Sequence, residues 1–514
     1  MKKKLYVVFA LSLALCMIMN SALACTTLYV GSAVTQDGSV IFGRSEDLTN
    51  SYNKLYYVSP AGNHTAGEEY NGCYGFTWTF THDSYGYTAF SDDNGSGVDF
   101  VCPDCDGTHK HTPYEAAGTN DQGLSITATE TLYCAEAVEE VDPYEELGIE
   151  EAEIVTVVLS EAATAQEAVN LLLGIYDTAG ANAGSGILIA DSTETWYVEN
   201  VTGHQYIALK LPDTLVLAQP NMSIIGAIDL DDTENVIASE GIIAIAQQAG
   251  TFAGDEAQNV IDYVQSYNGG STPNARMINA LAYLDPAYAD TETQAEPAAY
   301  LLTNLDENGQ IVTLHNGIHP AEALSIEDAQ NYFHISNIGY VRNLDTHLFQ
   351  ISGAGATGTV EWVAMNDTAL SVFVPYYPML TTAVDASYMV STAEADFTSE
   401  AVSSSVCYLT TINTYEDGQR VTVEGFRVLP ENWQESMYWS FDALSNLVMY
   451  GGLSEEQVNA VCDAVYAQQA QVNAAFAEAK STLTDADAAT AWSMQTAQEI
   501  HQLAVDLANS LLAK

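Results

Sequence analysis

The chain has 514 residues, and its 68 acidic side chains against 13 basic ones give a formal net charge of −55. Such a surface repels nucleic acid and anionic lipid, which excludes those partners. A hydrophobic content of 47% excludes a disordered acidic chain. At roughly 150 residues per domain the length allows about three domains, or one large unit with insertions.

The first 24 residues read as a secretory signal peptide. Lys2, Lys3 and Lys4 precede the apolar run LYVVFALSLALCMIM, and small residues at Ala22 and Ala24 lead to ALACTT. The run is shorter than the roughly 18 to 20 residues that span a bilayer, and no comparable run recurs, so the reading is an exported chain without an integral membrane segment. A lipoprotein signal also cleaves before a cysteine, but it generally has leucine three positions earlier, where this chain has Ala22. Ordinary cleavage by signal peptidase, leaving Cys25 first, is therefore the expectation; a lipid-anchored surface binder is the alternative.

From Cys25 onward, CTTLYVGSAVTQDGSVIFGRSEDL alternates on both sides of Asp37-Gly38, a tight-turn pair, and reads as a β-hairpin. A simple two-residue turn sets Cys25 opposite Asn50, Arg44 opposite Gly31 and Asp47 opposite Leu28. Asp47 would then lie roughly 10 Å along the strand from Cys25, and a bulge or bend would be needed to close that gap. With so few basic residues, Arg44, Arg276, Arg342, Arg420 and Arg427 are the only arginines, and each is expected to be kept for a local partner.

The stretch from 60 to 117, rich in Gly, Tyr, Asp and Asn, reads as a loop-rich insertion or lid. It contains Cys102, Cys105, His109 and His111, a C-x-x-C pair with two histidines for which a disulfide, a structural metal and free thiols all remain open. Strand-like runs follow at 123–132, 186–201, 205–221, 346–351 and 360–377, with a helical pattern over 150–180. At the C-terminus Ile500, Leu503, Leu507 and Leu511 recur at helical spacing. The order describes a sheet-rich α+β body from 25 to 440 and a helical extension over 441–514. It carries no phosphate loop, no internal repeat and no basic aromatic stripe.

An N-terminal cysteine has a thiol of pKa near 8.5 and an α-amine near 7.7 to 8.0. The amine can take the thiol proton, so one residue supplies nucleophile and base. The reaction class is acyl transfer through an oxyanion, which needs N–H donors.

These residues resemble a known family, the N-terminal-nucleophile (Ntn) cysteine dipeptidases of the dipeptidase A type, distant relatives of bile salt hydrolase and penicillin V acylase. The resemblance runs through CTTLYVGSAVTQDGS, GRSEDL (43–48), GTNDQGLSITATETL (118–132), WYVENVTGHQYIALKLPD (196–213), THLFQ (346–350), SVFVPYY (371–377) and SNLVMY (445–450). It implies a four-layer αββα Ntn-hydrolase sandwich that hydrolyses dipeptides through a thioester on Cys25, with no cofactor and no metal. Arg44 would lower the thiol pKa and Asp47 would hold the α-amine. Asn221, or Gln219 two positions earlier, would meet substrate or oxyanion. Glu130 stands where the acylases offer an asparagine and would meet the free amino group of a dipeptide. An acyl-amide hydrolase of the bile salt or penicillin type is the enzymatic alternative. His347 reads as a satisfied core histidine, and oligomeric state, a homo-oligomer included, is left open.

Overall fold

The computed structural model describes residues 25–47, 53–72, 74–93, 113–270, 272–288, 300–305, 311–312, 318–390, 396–398, 407–416 and 419–513. The segment 1–24 and the Cys102, Cys105, His109 and His111 group lie outside these residues.

Runs rich in β-branched and aromatic residues form the strands of two antiparallel sheets. In chain order they are β1 (Thr26–Val30), β2 (Val40–Asp47), β3 (Asn53–Ser59), β4 (Tyr87–Asp93), β5 (Glu115–Asn120), β6 (Ser125–Leu132) and β7 (Gly184–Ala190). They continue with β8 (Thr195–Asn200), β9 (Tyr206–Lys210), β10 (Val216–Gln219), β11 (Val236–Ala238), β12 (Asn343–Ile351), β13 (Thr359–Met365) and β14 (Val374–Tyr376). One sheet has the order β10-β1-β2-β12-β13-β14, the other β11-β9-β8-β7-β6-β5-β4-β3.

Helices cover both outer faces. On the eight-stranded sheet, α1 (Glu151–Glu161) packs on β5 and β6, and α2 (Ala165–Thr178) on β7, β8 and β9. Thr164 separates the two helices by accepting a hydrogen bond from the Glu167 amide as N-cap. On the six-stranded side, α3 (Ala275–Leu284) packs on β10, while α4 (Met437–Tyr450), α5 (Glu455–Ala479) and α6 (Ala486–Leu512) cover the far end around β13 and β14. The result is the four-layer αββα sandwich. Its strands are covered on both faces, which is why β1 and β12 are buried at every residue instead of alternating.

Two cores result. One is the apolar space between the eight-stranded sheet and α1 and α2, filled by residues such as Ile126, Val158 and Leu172. The larger one fills the space between the sheets and continues around the six-stranded sheet to the C-terminal helices, where Trp362 of β13 meets Phe476 of α5 edge to face at 5.4 Å. Burying a large apolar side chain of this kind contributes about 2–3 kcal/mol. On α6 the apolar stripe reaches the core through Ile500 and Leu511, while Leu503 and Leu507 are only partly buried, and Ala489, Ala497, Ala504 and Ala508 are fully buried beside Ile500. Small side chains let the helix approach its neighbours closely.

Two expectations need correction. The stretch 60–117 is not all insertion, because Tyr87–Asp93 and the start of Glu115–Asn120 are strands of the larger sheet; Glu69–Asn71 pairs with Thr77–Thr79 in a separate small hairpin. The N-terminal hairpin also pairs four residues away from the simple register, with Thr26 opposite Ser45, Thr27 opposite Arg44 and Leu28 opposite Gly43. The connection is longer than two residues. A 3₁₀ turn at Ser32–Val34 comes first, and the Thr35 hydroxyl donates to the Ser39 carbonyl at 2.6 Å before β2 begins. Gly43 permits the tight pairing on the other side of β2, since a Cβ there would lie 1.9 Å from the His347 carbonyl oxygen of β12.

Candidate active site

The corrected register brings the predicted residues together. Cys25 immediately precedes β1, so continuing the pairing places it across from Glu46 and beside Asp47, with no bulge required. Its side chain is 7% exposed, and Arg44 of β2 is fully buried against it. Arg44 Nη1 donates to Cys25 Sγ at 3.4 Å and to Glu151 Oε1 at 2.6 Å, while Nη2 donates to Glu46 Oε2 at 3.1 Å. A guanidinium presents its donors in a planar fork, which lets one side chain serve three acceptors.

Asp47 lies on the other side of Cys25. Its Oδ1 accepts from Asn343 Nδ2, and its Oδ2 has no hydrogen-bond partner among the described residues, with Arg276 Nη1 3.8 Å away. Asn343 is held by its own bonds, donating to the Ile338 carbonyl at 3.0 Å and accepting from the Tyr340 amide at 2.7 Å. Arg276, from the first turn of α3, donates to the Cys25 carbonyl at 2.6 Å and to Thr26 Oγ1 at 3.1 Å. Two arginines thus grip Cys25, one at its sulfur and one at its backbone.

Beyond Glu46 the charges continue between the sheets. Lys54 Nζ of β3 lies 2.8 Å from Glu46, 2.7 Å from Asp92 and 3.8 Å from Asp345. Asp345 in turn pairs with His347 Nδ1 at 2.9 Å, and His347 Nε2 meets Thr127 Oγ1 of the opposite sheet at 2.8 Å. Both ring nitrogens of His347 are occupied and burial holds its pKa down, as a satisfied core histidine requires.

Ionisation follows from burial more than from the arginines. Burial pushes the Cys25 thiol up to about 12; Arg44 pulls it down, but Glu151, Asp47 and Glu46 pull the other way. Arg44 thus acts to lower the thiol pKa, but burial outweighs it and the three carboxylates add to the rise. Burial likewise raises Asp47 to about 7 against Arg276 and Asn343, and Glu46 to about 8 against Lys54.

Asn221 follows β10, whose register sets Gln219 opposite Thr27, so the chain brings Asn221 level with Cys25. It adopts a left-handed backbone, φ 49°, which asparagine tolerates better than most residues. Its Oδ1 is buried with no hydrogen-bond partner among the described residues. Gln219 is engaged at both ends, accepting from Thr27 Oγ1 at 3.3 Å and donating to the Met222 carbonyl at 3.3 Å. Of the two positions, Asn221 has the uncommitted group. Glu130 pairs by its backbone with Ser185, and its side chain lies outside the described residues.

Three residues of the site escaped sequence reasoning in their roles. Arg276 was marked only by the scarcity of arginines. Asn343 carried no signal, and Glu151 looked like an ordinary acidic residue opening a helix. Their sequence distances from Cys25 and Arg44 leave no local pattern to read.

The profile of Peptidase family C69 matches residues 24–415. A probable dipeptidase B from Streptococcus pyogenes serotype M1 is 33% identical over 266 residues, covering 51% of this chain and 50% of the relative; the chain thus matches about half the length of that protein. A probable dipeptidase from Salmonella dublin is 29% identical over 390 residues, covering 73% and 84%, and a dipeptidase from Bifidobacterium longum is 31% identical over 223 residues, covering 41% and 39%. Among solved structures, a penicillin V acylase from Agrobacterium tumefaciens is 15% identical with a TM-score of 0.28, covering 68% of this chain and 85% of that one. A conjugated bile acid hydrolase variant from Clostridium perfringens is 15% identical with a TM-score of 0.31, covering 66% and 89%. The αββα layering stands on the strand pairing described above.

Proposed function

Because the chain belongs to peptidase family C69, matched over residues 24–415, we propose that it is an exported cysteine dipeptidase whose nucleophile is Cys25, freed as an N-terminal residue by cleavage after Ala24. The observation that carries this reading is the double grip on Cys25: Arg44 on the sulfur at 3.4 Å and Arg276 on the carbonyl oxygen at 2.6 Å. An inert strand-start cysteine needs neither. The dipeptidase names of the Streptococcus, Salmonella and Bifidobacterium relatives support the substrate class.

In this mechanism the α-amine takes the thiol proton, and the sulfur attacks the carbonyl carbon of the dipeptide. The ammonium so formed lies beside the thiolate and offsets the burial that otherwise keeps the sulfur protonated. Asp47 Oδ2, without a hydrogen bond among the described residues, accepts from that ammonium. The oxyanion takes a hydrogen bond from the Asn221 amide. The tetrahedral intermediate collapses by breaking the C–N bond, with the ammonium returning its proton to the leaving amine. Water then hydrolyses the thioester, with the same amine as base. Glu130 is assigned to the substrate's free amino group.

The test is turnover of free dipeptides against N-acyl amino acids by the exported protein, alongside intact-mass analysis. A chain beginning at unmodified Cys25 that prefers free dipeptides supports the reading. Preference for N-acyl substrates would favour an acyl-amide hydrolase, and a diacylglyceryl mass on Cys25 would favour the anchored binder.

A further inference from the structure

A carboxylate from an outer-layer helix reaches the cation at the nucleophile. Glu151 is the first residue of α1, which packs on the eight-stranded sheet, yet its Oε1 lies 2.6 Å from Arg44 Nη1 on the six-stranded sheet. The same nitrogen is 3.4 Å from Cys25 Sγ. A donor shared between a carboxylate and a sulfur gives its shorter, charge-assisted bond to the carboxylate.

The charged surroundings are asymmetric. Glu46 and Asp47 join Arg44 on β2, Lys54 faces it from β3 and Asp345 from β12, and Arg276 from α3 lies on the far side of Asp47. His347 beside Asp345, Asp92 beside Lys54, and Tyr340 near Asp47 and Arg276 lie further out, and Glu150 and Glu153 stand next to Glu151 at the start of α1. Of the carboxylates bonded to Arg44, only Glu151 shares the nitrogen that touches the sulfur; Glu46 is on Nη2.

We propose that Glu151 is a positioning residue: it ties Arg44 to α1 and sets how much of that cation's charge the Cys25 sulfur receives. The proposal rests on reading Cys25 as the nucleophile, and gives that site a tuning element which neither its hairpin nor its substrate contacts supply.

The experiment is the pH dependence of iodoacetamide alkylation at Cys25 in the exported protein, read by peptide mass. The thiolate forms the C–S bond and iodide leaves, so the rate reports the thiolate fraction. Glu151→Gln is expected to move the profile to lower pH by about one unit, which is roughly a tenfold faster rate below the midpoint. Glu151→Asp keeps the charge one methylene further back and should shift the profile the same way by less. Superimposable wild-type and Glu151→Gln profiles would overturn the proposal, as would equal shifts in the two variants, which would indicate lost packing instead of charge. Should Glu151→Gln not fold, Glu151→Asp decides alone: an acid-direction shift supports the proposal and an unmoved profile overturns it. Dipeptide turnover measured alongside keeps the two readings apart, because the alkylation profile reports on the Arg44–Glu151 pair even if Cys25 proves not to be the nucleophile.

Discussion

Two regions on either side of the eight-stranded sheet are built on opposite principles. Outward, toward α1 and α2, Ile126, Ala128, Val158 and Leu172 make an apolar core. Inward, near Cys25, Arg44, Glu46, Lys54, Asp345 and His347 are buried between the sheets and joined by ion pairs. An apolar core stabilises roughly in proportion to area and tolerates change locally, whereas a buried charge is tolerable only while its partners remain. The first region holds the fold; the second is costly to keep unless the charges do something. Glu151 joins them, a carboxylate on a helix of the apolar layer that ends in the charged one.

The sharpest way to break the comparison is to remove one charge. Arg44→Met should cost about 3–5 kcal/mol, because it takes the guanidinium away from buried Glu151 and leaves buried Glu46 with Lys54 alone, and should abolish turnover in whatever protein folds. Chemical denaturation with activity per folded molecule checks this. Leu172→Ala on the other face should cost about 2–5 kcal/mol through its cavity, yet leave turnover per folded molecule near wild type. If Leu172→Ala damaged turnover as deeply as Arg44→Met, the division between the two regions would fail.

Legibility in the sequence followed the same division. The strands of the hairpin and the C-terminal helix were readable, because periodicity is local, whereas the grouping of Cys25, Arg44 and Asp47 was implied by the family resemblance and not by the simple hairpin register. The register was not readable, since Thr35, Asp37 and Ser39 extend the connection through side-chain bonds that a two-residue turn signal hides. Arg276 and Asn343 reach the site from more than 250 residues away, and only the tertiary fold brings them there. The stretch around Tyr87–Asp93 read as loop because its many polar residues mask a strand whose pairing on both sides holds it in the sheet.

A subtler probe is pH. Glu46 is raised to about 8, Asp47, Glu199 and Glu361 each to about 7, and Asp367 to about 6, in every case chiefly by burial. A carboxyl raised in the folded state binds its proton more tightly there than in the unfolded chain. Its contribution is thus fully present below the unfolded value near 4 and lost as pH rises through the folded value. His334, buried and lowered to about 4, works oppositely: its contribution is present above its unfolded value near 6.5 and is lost as pH falls toward 4. Thermal unfolding should therefore give a higher Tm near pH 5.5 than at pH 8, the His334 loss between pH 6.5 and 4 offsetting only part of the gain from the five carboxyls. A Tm that rises steadily from pH 5.5 to pH 8 would show that the buried carboxylates are ionised at little cost, contrary to the contrast drawn between the two faces.

The most direct test of the central claim is dipeptide hydrolysis by Cys25→Ala, with circular dichroism and thermal unfolding run on the same preparation. The account predicts a folded protein whose turnover falls on the order of 10³-fold or more. A folded Cys25→Ala protein that hydrolyses dipeptides at the wild-type rate would contradict it, leaving the two arginines gripping a residue with no part in the chemistry.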